Sequence, residues 1–182
     1  ISHRWMDKQD PDPDGEQLKA IQAFLNSADG QNIELVWMDS TCMPQHQPDA
    51  TPSLLRTDAD TADFKAMLKQ VNMLYLGTRV LILLDLSYVS RFWTQFEAWC
   101  SMQLAMPDGL KSAVGTSSAR HHIVCIQNAA AQADLYTKAL VDNWAYKTPQ
   151  EAFEFLSKPD VTVTNASDKV GQLPKIKSLD ET

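Results

Sequence analysis

One stretch decides the predicted fold: Leu86-Ser87-Tyr88-Val89-Ser90-Arg91-Phe92-Trp93-Thr94-Gln95-Phe96-Glu97-Ala98-Trp99. It follows an unbroken apolar run, Val80–Leu84, which is short enough to be a strand buried on both faces. After a polar turn, Phe92, Phe96 and Trp99 recur at a helical spacing. We therefore predict a buried strand, a tight turn, and a helix whose N-cap is Ser90.

Glu97 is the candidate catalytic residue of this stretch. It stands four positions after Trp93, a spacing that places an indole and a carboxylate on one helix face. Ligands of open α/β sheets bind just beyond the carboxyl ends of strands, so the position favours a functional site. The alternative is an ordinary solvated carboxylate, which is what most glutamates are. For Trp93 the alternative is simple packing on the helix.

Length and composition limit the possible classes of protein. The 182 residues, 44% hydrophobic and 21% charged, fit one domain with a sizeable core. The net charge of −7 argues against a nucleic-acid surface, which needs clustered Lys and Arg. No apolar run approaches the ~20 residues of a membrane span, and the three widely spaced cysteines fit a reducing, cytoplasmic compartment. Ile1 has the character of a strand end, so we expect a fragment of a longer protein.

The rest of the chain alternates helical patterns with short apolar runs. Helices are predicted at 16–25, 63–75, 91–106, 132–144 and 149–156, and strands at the chain start, 33–38, 80–84, 123–126 and 161–163. Such alternation implies a parallel sheet with helices on both faces. We predict a flavodoxin-like, five-stranded parallel sheet within a domain of residues 1–164. A flexible loop is expected at 111–120 and a polar tail or linker at 165–182.

Two segments raise the question of metal binding. Asp10, Asp12 and Asp14 resemble the start of an EF-hand loop, but Ile21 stands where a bidentate Glu is required, so a helix-capping turn is expected. Cys42 and His46 lie in the long Pro-containing segment 40–60, and no second pair of ligands accompanies them. We predict no metal site. A loop as long as 40–60 is usually functional or disordered.

The motif Tyr-x-Ser-x-x-Trp-x-x-x-Glu, at residues 88–97, resembles a segment of Toll/interleukin-1 receptor (TIR) domains. In the NAD-cleaving members of that family this segment carries the catalytic glutamate. The opening residues 1–5 resemble the end of the family's first strand and its polar loop, and 33–39 resembles the second strand with its acidic residue. Thr94 departs from the pattern, because plant-type members commonly have Cys there. The resemblance covers roughly the first two-thirds of the chain.

This resemblance implies a flavodoxin-like fold and an NAD glycohydrolase that cleaves the bond between nicotinamide and ribose. Glu97 would be catalytic, and NAD would be a substrate rather than a cofactor. Substrate contacts are expected from Ser2, His3, Arg4, Trp5, Asp39, Ser87, Tyr88 and Trp93. The guanidinium of Arg4 suits a pyrophosphate. The resemblance also implies self-association through the loop 40–60, as part of a signalling protein with other domains. The alternative is a non-catalytic TIR-like interaction domain.

Overall fold

The computed structural model describes residues 1–45 and 56–179. Contacts divide the chain into two compact units. The first unit comprises Ile1 and Trp5–Val71, and the second comprises Ser2–Arg4 and Asn72–Thr182. The helices of the described residues are α1 (Glu16–Leu25), α2 (Asp39–Cys42), α3 (Asp58–Gly77), α4 (Phe92–Ser101), α5 (Ala133–Trp144), α6 (Pro149–Leu156) and α7 (Ala166–Ser178). The strands are β1 (Val80–Leu84), β2 (Gln103–Met106), β3 (Gly109–Ser112) and β4 (His121–Cys125).

In the first unit, helix α1 has the predicted bounds, and the acidic turn before it caps the helix as expected. The Asp12 carboxylate accepts hydrogen bonds from the backbone N–H of Gln17, at 3.0 Å, and of Leu18, at 2.8 Å. These are donors that the first turn of a helix leaves without an internal partner. Within the described residues, no group of three or more His, Cys, Asp or Glu is arranged to hold a metal ion.

The predicted second strand, 33–38, is not a strand in the structure. The Trp37 carbonyl accepts a hydrogen bond from the Ile1 ammonium, at 2.7 Å, but no ladder follows, and Leu35 remains 90% exposed. Apolar composition indicates a strand only where a partner supplies hydrogen bonds along its length. Asp39, expected at a strand end, instead opens the short helix α2. Of the predicted loop 40–60, residues 46–55 lie outside the described part of the chain.

Helix α3 begins five residues before the predicted start at 63. Thr57 and Asp60 explain the earlier start, because their side chains and backbones bond reciprocally. The Asp60 carboxylate accepts from the Thr57 N–H at 2.9 Å, and the Thr57 hydroxyl accepts from the Asp60 N–H at 3.1 Å. This is the pattern of a capping box with Asp in place of Glu. The boundary between the two units falls inside α3, after Val71.

The second unit contains the parallel pair that the sequence predicts at its centre. Strand β1 pairs with β4, with Leu83 opposite Val124, and every residue of β1 is buried. The predicted first strand is present as a single parallel bridge. Ser2 donates its N–H to Leu81 O at 2.8 Å and accepts from Leu83 N–H at 2.9 Å. The chain is therefore α/β as predicted, but the five-stranded sheet is not seen among the described residues.

The predicted fifth strand, 161–163, is also a single bridge. Thr162 bridges Arg91 rather than β4: it donates its N–H to Ser90 O at 2.9 Å and accepts from Phe92 N–H at 2.7 Å. This connection ties the segment before α7 to the start of α4. Its effect is to fix the turn that follows β1, not to extend the parallel pair.

The helix predicted to run to 106 ends at Ser101, and a hairpin of β2 and β3 follows. Pro107 and Asp108 form the turn, and Gly109, the first residue of β3, has a φ of 109°, a conformation that glycine adopts without a Cβ clash. The hairpin also occupies the start of the predicted flexible loop 111–120. Arg120, the last residue of that predicted loop, donates hydrogen bonds to the carbonyls of Tyr75, Thr78 and Gln103.

The C-terminal part of the described chain is more ordered than its polar sequence predicts. Thr148 and Glu151 form the predicted capping box of α6, with Pro149 in the first turn. Beyond it, the predicted tail is mostly the helix α7, which packs against α6 and buries Ile176. One buried apolar residue per three turns is too sparse a pattern to indicate a helix. None of the helices in residues 1–45 and 56–179 is long and apolar enough to cross a membrane.

Candidate functional site

The turn between β1 and α4 positions the candidate site and is held by buried hydrogen bonds. A short 3₁₀ helix, Tyr88–Ser90, precedes α4, and the N-cap position of α4 is Arg91 rather than the predicted Ser90. The Ser90 hydroxyl instead donates to Ser87 O at 2.8 Å. The buried Thr94 hydroxyl donates to Tyr88 O at 2.5 Å and lies 3.1 Å from Arg91 O. Thr94, which departs from the family pattern, therefore fixes the turn.

The buried face of α4 carries an aromatic stack. Phe92, Phe96 and Trp99 have no exposed surface, and the successive ring centroids lie 6.0 and 6.3 Å apart. Trp99 also donates its indole N–H to Lys147 O at 2.9 Å. These contacts are spaced as the sequence predicts. They anchor α4, the helix that carries Glu97, in the core of the second unit.

Glu97 belongs to a hydrogen-bonded group with Ser2 and Tyr88. The Ser2 hydroxyl donates to Glu97 Oε2 at 2.7 Å and lies 2.5 Å from the Tyr88 hydroxyl. Since a carboxylate can only accept, the Ser2 hydroxyl is the donor of its hydrogen bond to Glu97, and Tyr88 is therefore the donor of its hydrogen bond to Ser2. Ser2 and Tyr88 are fully buried, whereas Glu97 is half-buried. The structure thus brings together three of the predicted site residues, from the chain start, the turn and α4.

The negative charge of Glu97 affects two buried neighbours. Burial raises the pKa of Tyr88 well above its ordinary value, and the Glu97 charge raises it further, while the bond to Ser2 opposes both. Burial also raises the pKa of the Cys100 thiol, again with a contribution from Glu97. Both neighbours therefore stay protonated at neutral pH. Tyr88 can serve as a hydrogen-bond donor behind Ser2, and Cys100 is not a thiolate nucleophile.

The raised pKa of Cys100 predicts that stability falls at alkaline pH. Below the ordinary value of 9.0 both the folded and unfolded chains keep the thiol protonated, so stability is complete. Above it the unfolded chain releases the proton first, which favours unfolding. Under reducing conditions, we expect the urea concentration at the unfolding midpoint to decrease as the pH is raised from 8.5 to 10. Cys100→Ala should make this decrease with pH smaller. Cys42→Ala, at an exposed position, is the control; an unchanged slope in Cys100→Ala would contradict this assignment.

Arg4 is paired with a carboxylate that the sequence pattern did not single out. Its Nε and Nη2 atoms both donate to Asp85 Oδ2, at 3.0 and 2.9 Å, and Asp85 is almost completely buried. Asp85 directly follows β1, so a carboxylate immediately after a buried strand was the signal available in the sequence. Arg4, the residue predicted to bind the pyrophosphate of NAD, is thus already paired with a buried carboxylate within the second unit.

Trp93 is held from the side of α7. Its side chain donates a hydrogen bond to Asp168, while burial raises the pKa of that carboxyl group. The Trp93 ring packs edge-on against Phe92, with centroids 5.6 Å apart, and is half-buried. Trp93 and Glu97 remain one helical turn apart on α4. Because α7 lies in the predicted tail, sequence reasoning gave no indication of Asp168.

The remaining predicted substrate contacts fall in different settings. His3 is buried in the second unit, and Ser87 is exposed at the start of the 3₁₀ turn. Trp5 and Asp39 belong to the first unit, where the Trp5 indole N–H donates to Asp39 Oδ2 at 3.0 Å. No family model matches the chain, and neither a curated protein nor a solved structure is significantly similar to it.

Proposed function

We propose that the chain is an NAD glycohydrolase, active as a TIR-like signalling module of a larger cytoplasmic protein. The observation that carries the proposal is the half-buried Glu97 carboxylate, held at 2.7 Å by the buried Ser2 hydroxyl. A carboxylate whose position is fixed in advance stabilises developing positive charge without reorganisation during the reaction. It lies on the helix that follows β1, where the TIR resemblance assigns catalysis.

The proposed reaction breaks the bond between the anomeric ribose carbon and the nicotinamide nitrogen. The electron pair of that bond leaves with nicotinamide, which becomes neutral, and the ribose becomes an oxocarbenium-like cation. Glu97 faces that cation and stabilises it, as a carboxylate does in glycoside hydrolysis. Water then adds to the anomeric carbon and releases a proton, so that NAD and water yield nicotinamide, ADP-ribose and a proton.

The residues around Glu97 have supporting roles in this proposal. Ser2 and Tyr88 orient the carboxylate through the chain of hydrogen bonds described above. The Trp93 indole uses its N–H for Asp168, and the exposed part of the half-buried ring is the surface on which nicotinamide would stack. NAD is the substrate, and no cofactor is invoked. The finer fold that accompanies the proposal is the five-stranded, flavodoxin-like sheet of TIR domains.

A second candidate function is a non-catalytic TIR-like assembly domain. The observation that favours it is that predicted NAD ligands already have partners within the chain. Arg4 bonds to Asp85 through two nitrogens, and Trp93 bonds to Asp168. An interaction domain needs these contacts only for its own stability. The two functions differ in whether NAD is consumed.

Self-association through the loop 40–60 predicts that activity depends on concentration. If neighbouring copies complete the site, the rate of nicotinamide release per molecule rises as the protein is concentrated from micromolar to hundreds of micromolar. Replacing Gln45 to Arg56 with a Gly-Ser link should remove that rise while the chain stays folded, as checked by circular dichroism. NAD cleavage at a constant rate per molecule, in both proteins, would show a self-sufficient monomeric site and contradict the assembly proposal.

A further inference from the structure

The segment between α6 and α7 crosses the start of α4. The backbone of Thr162 bonds on both sides of Arg91. It donates to the carbonyl of the residue before Arg91, at 2.9 Å, and accepts from the N–H of the residue after it, at 2.7 Å. The Arg91 side chain also donates to the Thr164 hydroxyl, at 2.8 Å. We call residues 161–169 the C-terminal strap, which is thus joined to α4 where that helix begins.

The C-terminal strap also has contacts of its own, away from α4. The Lys169 ammonium donates to the carbonyls of Lys158 and Val161, at 2.7 and 2.8 Å. Val161 is buried, and beyond the strap α7 packs against α6. These bonds tie the first turn of α7 to the chain just after α6. The strap is therefore joined to α6 as well as to α4.

Asp168, in the first turn of α7, brings a carboxylate from the strap to Trp93. One of its oxygens, Oδ1, accepts a hydrogen bond from the side chain of Asn165, the N-cap residue of α7, at 3.1 Å. The carboxylate also accepts from the Trp93 indole. The Trp93 ring packs edge-on against Phe92, which is fully buried. Two contacts, one polar and one aromatic, therefore set the orientation of the ring.

Trp93 is the surface on which nicotinamide stacks in the proposed function, and this inference rests on that role. Stacking depends on how two ring planes meet, and a ring that is already oriented loses less freedom when its ligand binds. We propose that Asp168 is a positioning residue of the NAD site, which holds the Trp93 indole in the orientation that binds nicotinamide. The strap, which lies outside the TIR resemblance, thereby supports the site. The alternative is that Asp168 stabilises only the start of α7.

The first test measures the steady-state kinetics of NAD cleavage in a double-mutant cycle. Asp168→Leu should raise KM at least about fivefold, the lower end of the effect of base–aromatic stacking, and leave kcat near the wild-type value because Glu97 is unchanged. Asp168→Asn keeps an acceptor oxygen and should restore part of the affinity. Trp93→Phe removes the same hydrogen bond without changing α7, so it should also raise KM. Adding Asp168→Leu to Trp93→Phe should change nothing further.

The control for this cycle is Asp160→Leu, which makes the same change at an exposed position just before the strap and should keep the wild-type KM. A wild-type KM in Asp168→Leu or in Trp93→Phe would overturn the proposal. So would a rise in KM on adding Asp168→Leu to Trp93→Phe that equals its rise in the wild type, because Asp168 would then act through another residue than Trp93.

The second test observes the indole itself and does not depend on NAD cleavage. The five tryptophans each give an indole N–H signal in nitrogen-15 NMR spectra, and Trp93→Phe identifies the signal of Trp93. Asp168→Leu should shift that signal and speed its exchange with deuterium, because the acceptor is gone. The signal of Trp99, whose acceptor is the Lys147 carbonyl, should stay in place. A Trp93 signal that neither shifts nor exchanges faster would overturn the proposal.

Failure of this proposal and failure of the proposed function give different results. Wild-type protein that leaves NAD intact contradicts the proposed function, and the positioning role of Asp168 with it. Wild-type protein that cleaves NAD, with an unchanged KM in Asp168→Leu, contradicts the positioning role alone.

Discussion

Leu83→Asp is expected to abolish cooperative folding of the chain. Leu83 is 1% exposed in the middle of β1, opposite Val124, and its N–H donates to Ser2 O at 2.9 Å. A carboxylate there would have no charged partner in the strand pair. Burying such a charge costs several kcal/mol or more, against a total stability of roughly 5–15 kcal/mol. We expect an insoluble or unfolded protein, as measured by circular dichroism and urea denaturation.

A matched substitution separates burial from the change of residue type. Leu135→Asp, on α5, makes the same change at a position that is 58% exposed, and we expect a change in stability of less than about 0.5 kcal/mol. Leu83→Ala is a milder probe of the same core position and should cost about 2–5 kcal/mol. Cooperative unfolding of soluble Leu83→Asp with near wild-type stability would show that β1 is not the buried centre of the second unit.

Glu97→Ala and Glu97→Gln are expected to lose NAD cleavage while the chain stays folded. Removing one preorganised electrostatic stabiliser typically costs ~10²-fold or more in rate, and we expect at least that loss in Glu97→Ala. Glu97→Gln keeps the volume and can still accept a hydrogen bond from Ser2, so it isolates the effect of the negative charge. The measurement is the initial rate of nicotinamide release from NAD.

Two controls support the Glu97 experiment. Glu154→Gln makes the same change on the exposed surface of α6, where Glu154 accepts a hydrogen bond from Gln150, and it should retain wild-type activity. The Glu97 variants should also unfold cooperatively, with the midpoint of Glu97→Gln near that of the wild type, because glutamine still accepts the hydrogen bond from Ser2. A Glu97→Ala protein that kept most of its activity would remove the main support for catalysis and favour the assembly domain.

The fold elements that sequence predicted well have strong local signals. Val80–Leu84 is too apolar to lie at a surface, and Thr148-Pro149-Gln150-Glu151 combines a capping box with proline in the first turn. The elements that were missed depend on partners elsewhere in the chain. Residues 33–38 have the composition of a strand but form no ladder, and α7 has few apolar residues but gains stability by packing on α6. Composition alone does not report such partners.

The residues of the candidate site also fall into two groups, those that local sequence patterns predict and those that only the folded structure brings together. Helical spacing and a position shortly after a buried strand are enough to single out Glu97 and Trp93. Their partners could not be derived, because Ser2 lies 95 residues from Glu97, and Asp168 lies in a segment that was predicted to be a tail. Asp85 could have been found, since it directly follows β1. The lack of a hydrogen-bond partner for its Oδ1 atom, within the part of the chain that the structure describes, could not, because it is a property of the packed structure.

The most direct test of the proposed function is a single-turnover experiment with protein in molar excess over NAD. High protein concentration favours self-association and makes even slow cleavage measurable. Chromatography of the quenched mixture separates nicotinamide, ADP-ribose and intact NAD. The proposal predicts one nicotinamide released per NAD by the wild-type chain and by Glu154→Gln, with intact NAD remaining in Glu97→Gln. Intact NAD in the wild-type reaction, at concentrations where the chain self-associates, would contradict it.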